Sequence, residues 1–140
     1  MHGTTDLRVG NLMTIDPVVI GPNALATDAE RLLKTYHVSG LPVVAGGLAV
    51  GVISLTDLMV ARSSAMIAGN WPRMRVRHLM SAPAVTVHVG TTVARAAELM
   101  VSRHIHRLVV ADDEHAPVGV LSSLDLLRLL VRDRDMASSM

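Results

Sequence analysis

The sequence predicts an α+β fold made of two β-α-β-β-α repeats, and three observations carry that prediction. Gly51-Val52-Ile53-Ser54-Leu55-Thr56-Asp57-Leu58 returns 68 residues later as Gly119-Val120-Leu121-Ser122-Ser123-Leu124-Asp125-Leu126. Leu12-Met13-Thr14 returns as Leu79-Met80-Ser81, Pro17-Val18-Val19 as Pro83-Ala84-Val85, and Val38-Ser39-Gly40-Leu41-Pro42-Val43-Val44 as Ile105-His106-Arg107-Leu108-Val109-Val110-Ala111. The offset drifts only between 66 and 68 residues, so both halves need the same element order with one or two loop insertions.

Each half opens on a Pro-containing lead-in, with a short helical turn expected around Val9 to Met13 and again around Val76 to Met80. Leu25, Ala29, Leu32, Leu33 and Tyr36 fall at helical spacing, as do Val93, Ala96, Ala97 and Met100, so a helix follows each lead-in. Two short Val-rich strands come next. Their turn is Ala45-Gly46-Gly47 in the first half and Asp112-Asp113-Glu114-His115-Ala116 in the second. The Ser-x-x-Asp then starts a second helix, from Asp57 in one half and Asp125 in the other. Asn70-Trp71-Pro72 marks where the first of these has ended. The repeats are thus read as 1–68 and 79–140, joined by a linker at 69–78 and forming one compact module.

Composition fits that plan. A chain of 140 residues, half of them apolar, can bury a real core, and with no Phe, one Trp and one Tyr that core must be Val, Leu, Ile, Ala and Met. A net charge of +1 gives no electrostatic footprint for nucleic acid, and the local Arg73, Arg75, Arg77 and His78 cluster reads as a solvated connector. The absence of Cys excludes disulfides, thiolate catalysis and zinc sites with thiolate ligands. The first twenty residues carry Asp6, Arg8 and Asp16 and no signal-like apolar core, so a cytoplasmic protein is expected. Thr35 to Thr56 lacks Asp, Glu, Lys and Arg over 22 residues, which raises a membrane question. Gly40, Pro42, Gly46, Gly47 and Gly51 break that stretch, and its counterpart carries Arg107, Asp112, Asp113 and Glu114, so no membrane span is expected.

At these motifs the chain resembles the cystathionine-β-synthase (CBS) domain pair, or Bateman module, over nearly its whole length. The likeness rests on the Met-x-x-x-Pro lead-in, Val-Ser-Gly-Leu-Pro-Val-Val and Gly-h-h-Ser-x-x-Asp (h, aliphatic), each duplicated in order. Ile105-His106-Arg107-Leu108-Val109-Val110 is similar to the nucleotide-sensing repeats in the γ subunit of AMP-activated protein kinase. The resemblance implies repeats packed through their strands about a pseudo-twofold axis, with an adenosine-containing ligand in the cleft between them. It also implies a disc-like homodimer formed through the helices, for which the apolar Leu126, Leu127, Leu129, Leu130 and Val131 are available. Output would go through an effector protein that the sequence does not name.

The residues supply chemistry for such a ligand. A ribose presents two adjacent hydroxyls, and an ionised Asp accepts a hydrogen bond from each, which nominates Asp57 and Asp125. A helix N-terminus favours a phosphate, with Ser54, Thr56 and Ser122 adding hydroxyls. Arg107, beside His106, is the only Arg or Lys on the Val-rich strands and suits a phosphate. The resemblance assigns adenine contacts to Val18, Val38 and Ser39 for the pocket using Asp125, and to Val85, Ile105 and His106 for the one using Asp57. Ser39-Gly40 stands where the second half has His106-Arg107, and Leu124 replaces Thr56, so unequal pockets are expected.

Ser followed by Asp at a helix start is also a capping arrangement needing no ligand, and both roles stay open on sequence alone. The four nominated aliphatics equally suit plain core. His104 is expected to end a helix and His106 to lie on a strand, with no acid at ligand spacing, so no metal site is expected despite seven histidines. No Ser-His-Asp order, Walker-type loop or His-Glu-x-x-His occurs, so neither an enzyme nor a required cofactor is expected, only an adenine nucleotide or related ligand. A ligand-free dimerisation or docking scaffold is the alternative.

Overall fold

The structure is a computed structural model and describes residues 7–15, 17–64 and 69–138, with side chains as far as residue 132. Its elements in chain order are β1 (Thr14–Ile15), α1 (Ala26–Tyr36), β2 (Gly40–Ala45), β3 (Leu48–Ser54), α2 (Leu55–Ser63), α3 (Val76–Leu79), β4 (Thr86–His88), α4 (Val93–Arg103), β5 (Arg107–Ala111), β6 (Pro117–Ser122) and α5 (Ser123–Ser138). Short 3-10 turns sit at Val9–Asn11 and Trp71–Arg73. This is the α+β class, with the two long helices and the two hairpins where periodicity puts them.

Two compact units result. One is continuous, Pro17–Val85; the other joins the segment before it to Thr86–Met140. In the continuous unit β2 and β3 form an antiparallel hairpin from Gly40↔Ser54 to Ala45↔Leu48, turned by Gly46 and Gly47 at φ 60° and 79°. Only glycine takes two such left-handed positions without strain. Ala26, Ala29 and Leu33 line the buried face of α1 and meet Leu41, Val43, Ile53, Leu58, Trp71 and Val76 in one core. Burying each of the larger side chains contributes about 1.5–3 kcal/mol. Arg62 on α2 lies 5.7 Å from the Trp71 ring centre and 3.1 Å from Glu30 on α1, which ties the two helices together.

The discontinuous unit carries a four-stranded sheet in the order β1-β6-β5-β4, with β4 parallel to β5 and the other pairs antiparallel. Leu108, Val110 and Leu121 are fully buried there, with Val93, Ala96 and Met100 of α4 packed in the same interior class. Helices α1 and α4 end alike, on His37 and His104 at φ 54°. Each left-handed histidine lets the next residue, Val38 or Ile105, donate back to Leu33 or Met100 and close the helix.

The lead-ins pair in a way the repeat boundaries do not suggest. Thr14 and Ile15 pair with Val120 and Gly119 of the second repeat's hairpin, while Ser81 pairs with Val52 of the first. Each lead-in therefore completes the other repeat's hairpin, and the compact units divide at 16/17 and 85/86. Steric room explains the first residue of the repeated octapeptide. A Cβ on Gly51 would stand 2.7 Å from the Ser81 carbonyl oxygen, and one on Gly119 would stand 2.9 Å from that of Thr14, with Met80 and Met13 sulfur closing the same space. Nothing larger than hydrogen fits under the crossing strand.

Among the described residues, no helix is long and apolar enough to cross a membrane.

Gly119→Ala is expected to lower stability by about 1–3 kcal/mol in urea unfolding, because the Thr14 backbone must give way as well as the Met13 side chain. Gly69→Ala, where nothing lies within 4 Å, should stay within about 0.5 kcal/mol.

Candidate functional site

The repeated Ser-x-x-Asp folds into the same local structure twice. At α2, Ser54 holds an extended backbone (φ −113°) that ends β3, and the Asp57 N–H donates to its Oγ at 3.1 Å. The Ser54 N–H donates in return to Asp57 Oδ2 at 2.9 Å. At α5 the Asp125 N–H donates to Ser122 Oγ at 3.2 Å and the Ser122 N–H to Asp125 Oδ2 at 2.8 Å. Both are reciprocal capping boxes, with aspartate in the place more often taken by glutamate.

The capping role is therefore real at both aspartates. It does not use up the carboxylates. An ionised carboxylate offers about four lone-pair sites, and each cap takes one bond, on Oδ2 alone. The first oxygen is fixed against the backbone, and Oδ1 is held in a set position by the same bond.

The residues expected to surround a ligand sort by unit. In the continuous unit Val38 and Ser39 form the link between α1 and β2, and the Leu55 N–H donates to the Ser39 carbonyl at 2.9 Å. That bond puts the link against the start of α2, beside Ser54, the exposed Thr56 and the half-buried Asp57. In the discontinuous unit Ile105 and His106 form the matching link, with the Ser123 N–H donating to the His106 carbonyl at 2.8 Å. Arg107 follows, in register with Ser122. Each aspartate thus shares its unit with the link of its own repeat. Val18 packs against the core of the continuous unit, and Val85 is half-buried at its end.

Three expectations change. Val38-Ser39 and Ile105-His106 precede the strands, which begin at Gly40 and Arg107, because the left-handed helix caps must be followed by a connecting bend. The helix starts are less open to phosphate than expected, since Leu55 and Asp57 N–H groups at α2, and Ser123 and Asp125 N–H groups at α5, already have acceptors inside the protein. Among the described residues the Thr56 and Leu124 N–H groups are what remain at positions two of the helices. On α5, Leu129 is 8% exposed and belongs to the core, whereas Leu124, Leu127, Leu130 and Val131 are more than half exposed. His104 does end its helix, and among the described residues no three His, Asp or Glu are placed to hold a metal ion.

One neighbour escaped the sequence reading. Arg128 Nη1 lies 3.4 Å from Asp125 Oδ1. Its spacing of three from Asp125 on a helix was the available signal, and the first repeat has Val60 at the corresponding place.

The fold and site define a paired-repeat α+β module with a capped carboxylate in each repeat. The family model for the CBS domain matches residues 9–64 and again 76–132, so the chain belongs to the CBS domain family and carries two copies. An uncharacterised protein of Methanocaldococcus jannaschii is 28% identical over 127 residues, which cover 89% of this chain and 40% of that protein. The chain spans less than half the length of the curated relatives it first matches. Among solved structures, CBSX2 in complex with AMP is 28% identical with a TM-score of 0.75, covering 91% of this chain and 98% of that one; CBSX2 has also been solved as the protein from Arabidopsis thaliana. The CBS domain pair of protein MJ0100, in complex with 5-methylthioadenosine and S-adenosyl-L-methionine, is 25% identical with a TM-score of 0.80 and the same coverage of both chains.

Asp125→Ala is expected to lower the stability of the ligand-free protein by about 1 kcal/mol through loss of the cap. Asp125→Asn keeps an amide oxygen for the Ser122 N–H and should lie within about 0.5 kcal/mol of the parent in urea unfolding.

Proposed function

We propose that the chain is a regulatory module that binds an adenosine-containing ligand and passes its occupancy to a partner protein, without catalysing a reaction. AMP, ADP, ATP, NAD(H) and S-adenosylmethionine form the candidate set. The observation that carries this reading is the state of the two carboxylates, each pinned by Oδ2 with Oδ1 off the backbone. Adjacent ribose hydroxyls are two donors at fixed separation, and a carboxylate that is already immobile loses little freedom on accepting them. Ser54, Thr56, Ser39, Val38, Val18 and Val85 of one unit, and Ser122, His106, Ile105 and Arg107 of the other, complete the proposed contacts. Arg107 supplies the guanidinium for a phosphate.

The adenosyl ligands of CBSX2 and of the MJ0100 domain pair support the ligand class. A bound ligand acts on a partner only through its differential affinity for two states of the module. Self-association through the helices, in the cytoplasm, belongs to the same proposal. Leu124, Leu127, Leu130 and Val131 on α5, with Met59 and Val60 on α2, are 52% to 64% exposed, and apolar surface of that kind favours a covered state.

A docking scaffold with empty sites is the second reading, favoured by the fact that both aspartates have a structural role without any ligand. Thermal unfolding against the candidate ligands separates the two. A true ligand at about 100 times its dissociation constant adds roughly 2.7 kcal/mol, a rise of several degrees for a chain of this size. Asp57→Asn and Asp125→Asn should each keep the ligand-free melting temperature and lose part of the rise, because an amide cannot accept both hydroxyls; together they should abolish it. No rise with any candidate leaves the scaffold.

Leu130→Glu is expected to convert a dimer to a monomer in light scattering with little change in ligand-free unfolding. A dimer that persists places the association on another surface.

A further inference from the structure

The two repeats build the same cap beside different neighbours. Three residues after the carboxylate, α5 presents Arg128 and α2 presents Val60. Arg128 Nη1 faces Asp125 Oδ1 at 3.4 Å, and that is the oxygen the cap does not use. Its side chain is 65% exposed, while that of Asp125 is only 14% exposed. Val60 is 64% exposed, and among the described residues Asp57 Oδ1 accepts no hydrogen bond.

We propose that Arg128 is a specificity-determining residue that makes the Asp125 site select phosphate-bearing nucleotides over neutral nucleosides, a contribution that Val60 does not make at the Asp57 site. The inference rests on the ligand reading above. A ribose reaching Asp125 needs the acceptor that Arg128 faces, so the arginine must leave or share it. A single contact at 3.4 Å between residues three apart on a helix, with the arginine largely in solvent, is weak, and a guanidinium transfers readily to another anion. A nucleotide brings one, since phosphate oxygens match the guanidinium fork, and the ribose then takes Asp125 while Arg128 takes the phosphate. A neutral nucleoside brings none and must compete with the arginine. Sulfonium ligands add repulsion to that competition. At α2 the side chain of Val60 neither guards Oδ1 nor rewards a phosphate.

Calorimetric titration with AMP and with adenosine tests this, using Asp57→Asn protein so that only the Asp125 site remains. That protein should prefer AMP by at least about tenfold, the size expected for a hydrogen bond to a charged group. Arg128→Val, which copies the other repeat at an exposed position, should bring the ratio to within about threefold and leave adenosine binding unchanged or tighter. The reciprocal change, Val60→Arg in Asp125→Asn protein, should raise the preference for AMP at Asp57 several-fold. A ratio unaltered by Arg128→Val while AMP still binds overturns the proposal and leaves the ligand reading standing. Failure of the wild-type protein to bind either probe overturns the ligand reading itself, a distinct result.

Discussion

At the start of α2, and again at the start of α5, a serine and an aspartate exchange hydrogen bonds across one helical turn. The exchange settles several matters at once. It ends the preceding strand, since Ser54 must stay extended to reach Asp57, and it satisfies donors that a helix start otherwise leaves to solvent. It also immobilises a carboxylate at the start of the second helix of each repeat. Helix capping and ligand holding are usually weighed as rival explanations of such a residue. Here the geometry leaves both compatible, because the cap takes Oδ2 alone and leaves Oδ1 off the backbone.

A second constraint lies three residues upstream of each aspartate's serine partner, in the strand leading to it. The glycines of the motif are pressed under the lead-in of the other repeat, with Ser81 over Gly51 and Thr14 over Gly119. Met80 and Met13, half-buried and flexible, fill the space beside them. The octapeptide is thus framed by two unlike requirements. Its glycine answers to steric room and its aspartate to hydrogen bonding, and the aliphatics between them, Ile53 and Leu121, are fully buried.

Most of the element order was legible because it follows from local signals. Leu33 and Met100 sit on apolar helical stripes, Gly46-Gly47 encodes a hairpin turn, and the duplicated Ser-x-x-Asp announces each second helix. Pairing was not legible in the same way. Nothing in the period of Leu12-Met13-Thr14 states that Thr14 will pair with Val120, since a strand two residues long carries no pattern of its own. Boundaries moved for a related reason: Val38 and Ile105 look like strand residues, yet each must follow a left-handed histidine and so falls in a bend. On α5 a run of leucines concealed which one turns inward, and only packing separates Leu129 from Leu127 and Leu130. The capped aspartates were readable from the repeat; Arg128 was not, because it lies beyond the repeated octapeptide and its counterpart is Val60.

Duplication explains why the backbones agree, and divergence after it explains why the sites do not. Ser39-Gly40 faces the α2 start where His106-Arg107 faces the α5 start, and Val60 stands where Arg128 does. Both differences place positive charge in the discontinuous unit. Between serine and aspartate the hydroxyl only changes place, with Leu55-Thr56 at the α2 start against Ser123-Leu124 at the α5 start. The Arg128 guanidinium beside the capped Asp125 makes an environment suited to an anion, and the valine at the corresponding place after Asp57 adds no charge. The caps are under the same structural demand in both repeats, since Asp57 and Asp125 each close a helix. The flanking positions are under no such demand. Side chains there can vary without disturbing the fold, and under the proposed function that freedom would let the two sites differ in the ligand charge they favour.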